Sequence, residues 1–116
     1  MFEQDYLMRT IMQLVDAITR SMHKATGEQD PVSSAKALDD AISTATDLDG
    51  GVLLSLAPES IASILSVSGT NPSVVEYVSR SMLLSSQYWR QAGDAELASL
   101  RADQARALAS AYGFSI

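Results

Sequence analysis

Asn71-Pro72, Gly93-Asp94 and Gly113 constrain the fold of this chain more than any other residues. An asparagine side chain can cap a helix start, and a proline behind it already has helical φ. Glycine lets one helix end in the left-handed region, and the aspartate after it caps the next. The spacing predicts one helix from Pro72 to Ala92 and another from Asp94 to about Tyr112. Joined by so short a turn, the two must run antiparallel as a hairpin.

The remainder reads the same way. A first helix is predicted from about Phe2 to Ala25, with Leu7, Ile11, Leu14, Val15, Ile18 and Met22 on one face. Met8 and Met12 widen that stripe to roughly 160°. Asp5, Arg9, Asp16 and Arg20 gather opposite it, and Gly27 is the expected stop. Residues 27–34 form a polar connection in which Asp30-Pro31 or Ser33 caps a second helix running to about Thr46. Leu38, Ala41, Ile42 and Ala45 share its apolar face. Gly50-Gly51 breaks it, and Val52-Leu53-Leu54 is either one helical turn or a buried extended piece, the turn being favoured. Pro58 opens a third main helix, with Ile61, Ile64 and Leu65 inward and Gly69 at its end. No segment alternates as a strand does, so the expected fold is all-α: about five helices in one domain. Its parts are a long amphipathic N-terminal helix (1–26), a linker (27–34), acidic middle helices (35–70) and a hairpin (71–113).

Composition bounds the chemistry. The 116 residues include no cysteine, which removes disulfides, thiolate metal sites and cysteine nucleophiles. The net charge of −6 is uneven: residues 27–71 carry seven acids against Lys36, while both flanks balance to zero. An acidic chain without a basic stripe is a poor partner for nucleic acid and for an anionic membrane. No apolar run approaches the roughly 18 residues of a membrane span. Glu3 and Asp5 stand where a signal peptide carries positive charge, so a cytoplasmic location is the expectation.

Gly93-Asp94-Ala95-Glu96-Leu97-Ala98 resembles the turn and second-helix opening of a tetratricopeptide repeat. Ala105 matches the next small position, Trp89 the aromatic before the turn, and Ser86 the small position three residues earlier. Ser85 stands where the repeat has a large apolar residue, Ala102 where it has an aromatic, and no proline closes the unit. Met1-Phe2-Glu3-Gln4-Asp5-Tyr6-Leu7-Met8-Arg9 is similar to the opening of a family of small bacterial helical proteins with no assigned activity. Those chains pair such a helix with a repeat-like C-terminal half, so the likeness implies an all-α fold. A lone repeat-like hairpin cannot bury its own faces. The first helix, the middle helices or a second copy of the chain must cover its open side.

Most candidate sites have plain explanations. His23 lies beside Asp5 and Asp16 on the polar face, without local metal partners. Asp47-Leu48-Asp49-Gly50 looks like a fragment of a calcium loop. In that register, however, Ala45 and Leu56 occupy the first and twelfth positions, where acids are needed. Glu76–Arg80 and Asp103–Arg106 have the spacing of helical ion pairs. Arg101 falls in the stripe of Leu97, Ala105 and Leu108 and is expected to snorkel to water, or else to meet a carboxylate at an interface. Val74, Val78, Met82 and Trp89 form one apolar face of the helix that starts at Pro72; Tyr77, Leu84 and Tyr88 form another. Two such faces mark a helix packed between others.

There is no phosphate loop, no H-E-x-x-H, no G-x-S-x-G and no nucleophile paired with a base. The expectation is a non-catalytic interaction module without a cofactor or metal. Its partner is a second copy, most simply in a dimer, or another protein. The candidate interface residues are Met8, Met12, Met22, Tyr77, Tyr88, Arg101, Phe114 and Ile116. The alternatives are a carrier of a small apolar ligand, between the first helix and the one starting at Pro72, and an enzyme using acid pairs from the middle segment.

Overall fold

In the computed structural model the turn signals at Asp30-Pro31, Pro58, Gly69, Asn71-Pro72, Gly93-Asp94 and Gly113 are used, while Gly50-Gly51 open a one-turn helix. The structure describes residues 2–26, 30–46 and 50–116, with backbone only at 2–4, 23–26, 50 and 51. The Gly27 stop, the acids Asp47 and Asp49 and the side chain of His23 lie outside the described residues. Six helices occur among them: α1 (Phe2–Thr26), α2 (Pro31–Thr46), α3 (Gly50–Leu53), α4 (Pro58–Val67), α5 (Pro72–Gln91) and α6 (Ala95–Tyr112). Asp30 caps α2 by accepting the Ser33 amide at 2.7 Å. Asn71 caps α5 through Ser73, and Asp94 caps α6 through Leu97. The one-turn α3 takes in Val52 and Leu53, so the helical reading of that piece holds.

Gly93 makes the hairpin turn. At φ +88° it occupies the left-handed region, and the Asp94 amide reaches back to the Trp89 carbonyl at 2.9 Å. Residue 93 can thus reverse the chain without the backbone strain a side chain would bring. Gly113 repeats the device at φ +74°. There the Phe114 amide bonds to Ala109, and Phe114 folds onto the core.

The layers run α1, α2, α5, α6, α4, with α1 also touching α5. The helix α5 is therefore packed on two sides, as its two apolar faces require. One core joins Leu14, Ile42, Leu53, Ile61, Leu65, Val75, Val78, Met82 and Leu108; a second joins Leu38, Tyr88, Trp89 and Ala98. The hairpin's open sides are covered by the chain's own α2 and α4. The inward face of α4 is narrower than expected. Ile61 and Leu65 are fully buried, but Ile64 is exposed because α6 covers only one side of this short helix.

Candidate functional site

The strongest concentration of polar chemistry lies between α2, α5 and α6. Arg101 is only 5% exposed. Its Nε donates to Asp39 Oδ1 at 3.2 Å and its Nη2 to Oδ2 at 3.1 Å, a two-pronged ion pair. Nη1 donates to the Leu54 carbonyl at 2.8 Å. Asp39 also accepts from Ser85 Oγ at 2.8 Å and Trp89 Nε1 at 3.3 Å. Beside them Gln104 Nε2 donates to the carbonyls of Leu54 and Leu56.

This arrangement overturns the expectation that Arg101 snorkels to water or serves an interface. A buried guanidinium must be paired, and the planar fork of arginine fits one carboxylate at both oxygens. The carboxylate comes from the same chain, and Leu54 and Gln104 take up the remaining donor. Asp39, one of the seven acids of the middle segment, is the missing partner, and the sequence singles out neither it nor Gln104 for this role. An arginine inside an apolar stripe demands an acid nearby, and that was the available signal. It did not say which of seven acids answers. Ser85 departs from the repeat pattern for the same reason, since it spends its hydroxyl on Asp39.

What the cluster does chemically is to join the hairpin to α2 and to the loop after α3. Each polar group has a partner, so it resembles a staple rather than a poised acid or base. An open cleft of about 610 Å³ runs past it, lined by Asp40, Ser43, Leu97 and Leu100. A second cleft, also about 610 Å³, lies where Leu7 and Thr10 of α1 meet Ala45, Thr46 and Val74. Among the described residues no three His, Asp or Glu side chains converge as a metal site.

The expected interface residues divide. Tyr88 is buried in the second core, so it cannot line a partner groove; its hydroxyl lies 3.5 Å from Ser21 Oγ. Tyr77 and Phe114 are partly buried against the first core, while Ile116 is exposed. Met8, Met12 and Met22 are 55%, 58% and 54% exposed. The sequence places Met22 in the inward stripe and Met8 and Met12 on its widened edge, but α1 buries a narrower face: Leu14 and Ser21 fully, with Thr10 nearly so. Among the described residues the helix lies chiefly across α2 and α5, and two neighbours do not reach around a 160° stripe. No helix among the described residues is long and apolar enough to cross a membrane. No protein-family model matches the chain, and neither a curated protein nor a solved structure matches it.

Proposed function

We propose that the protein is a non-catalytic interaction module that associates with itself. The observation that carries this is the exposed apolar flank of α1, where Met8 and Met12 stand out from a helix whose inner face is already packed. Methionine suits a surface that must adapt to a partner, being unbranched and polarizable. The repeat-like hairpin favours the same reading, and its partners α2 and α4 leave α1 as the helix with most to offer. The acidic balance disfavours nucleic acid and anionic lipid. Sedimentation equilibrium at micromolar concentration tests the proposal. The expected result is twice the mass of one chain, falling toward one on dilution; a monomer throughout would end it.

The cleft between Leu7, Thr10 and Val74 supports the second reading, a carrier of a small apolar ligand, since its volume suits one. A solvent-sensitive apolar dye should brighten with the native chain and less with Val74→Trp. An unchanged dye would remove this reading.

A further inference from the structure

The outer side of α1 carries a seam of its own. Met8, Met12, Val15, Thr19 and Met22 recur at alternating intervals of four and three residues. That is the spacing of the a and d positions of a coiled coil. Of these five, only Val15 is even partly buried. On one flank of the seam stand Ile11 and Ile18, held against the chain's own core. On the other stand Arg9 and Asp16, both exposed. Asp16 pairs with Arg20 one turn on, in solvent. Arg9 makes no ion pair among the described residues.

We infer that two copies pair through α1 in antiparallel fashion about a two-fold axis near residues 13 and 14. The inference rests on the self-association reading and specifies its geometry. Charge order decides the direction. In an antiparallel pair like flanks meet, so Arg9 of each copy approaches Asp16 of the other. In a parallel pair the charged flank would instead face Ile11 and Ile18, which each copy already buries for itself. The seam fits the same register. Met8 sets opposite Thr19 and Met12 opposite Val15, each twice by symmetry.

The chain has no cysteine, so a single introduced one carries a spin label without background. Gln13 and Tyr6 are exposed and share one lateral position on the side of α1 turned away from the seam. Electron–electron distances are measured on full-length Gln13→Cys and, separately, Tyr6→Cys. Antiparallel pairing separates the labels at 13 only across the two helices and sets those at 6 about a further 22 Å apart along the axis, at 1.5 Å per residue, so the distance at 6 is the longer. Arg9→Glu and Asp16→Lys then test the charge. Each alone should raise the dissociation constant at least about tenfold, and an equimolar mixture should form the heterodimer. A dimer with equal distances at both sites, or one untouched by either charge change, overturns the geometry and leaves self-association standing. A wild-type monomer overturns both, including one that binds phosphatidylcholine vesicles or another helix instead.

Discussion

The helix α1 and the α5–α6 hairpin treat their side chains in opposite ways. The hairpin buries polar groups: the charged Arg101 and the amide of Gln104 are both buried, satisfied by Asp39 and the carbonyls of Leu54 and Leu56. The first helix exposes grease, with three methionines half in water beside a fully buried Leu14. Helical periodicity alone ranks the two the wrong way round. Burial is decided by how many neighbours reach a face and by whether a polar group finds a partner there. Hydrophobicity by itself decides neither.

The sharpest attack on this contrast is at the ion pair. Asp39→Ala leaves a guanidinium buried without its carboxylate and should cost about 3–5 kcal/mol. Urea unfolding followed by the emission of Trp89 measures it. Trp89 is the only tryptophan and donates to Asp39, so its native emission should shift as well. Asp39→Leu with Arg101→Met removes both charges together and should recover most of the loss. A loss below about 1 kcal/mol for the single change would show that water reaches the site and the hairpin buries no charge.

The same contrast can be drawn within α1. Leu14→Ala empties a fully buried site and should cost about 2–5 kcal/mol. Met12→Ala, two residues away, should change the unfolding of the dissociated chain by less than about 0.5 kcal/mol. Its effect belongs to association, read by sedimentation. If Met12→Ala unfolds the chain as readily as Leu14→Ala, the outer seam is core and the comparison fails.

These contrasts mark where legibility ends. Caps and breaks were readable because each rests on one residue and its nearest neighbours. Asp30, Asn71, Gly93, Asp94 and Gly113 act where the sequence puts them. Apolar faces were readable where a helix has neighbours on both sides, as α5 does. They were misjudged at Ile64 and at the methionines, because coverage depends on how the helices stack. The Asp39–Arg101 pair spans 62 residues, and nothing local selects Asp39 over Asp40. Sequence poses the demand for a partner; only the fold answers it.

The smallest expected effect lies at the far end of α6. Tyr112 Oη is buried without a hydrogen-bond partner among the described residues, unlike every polar group around Asp39. Burial raises its pKa above the ordinary phenol value, because the phenolate would lose solvation. The sign follows from proton linkage. Both folded and unfolded chains hold the proton below the ordinary value, and the full contribution to stability is present there. As pH rises beyond it the unfolded chain ionises first, so stability falls until the folded group ionises too. Tyr112→Phe removes an unsatisfied hydroxyl and should be neutral or stabilising by up to about 1 kcal/mol at neutral pH. It should also flatten the decline in stability at alkaline pH relative to the wild type, measured by urea unfolding across that range. Parallel declines would mean that Tyr112 is solvated in the folded chain. A clear loss of stability at neutral pH would mean that its hydroxyl has a partner, and that α6 satisfies its polar groups at both ends.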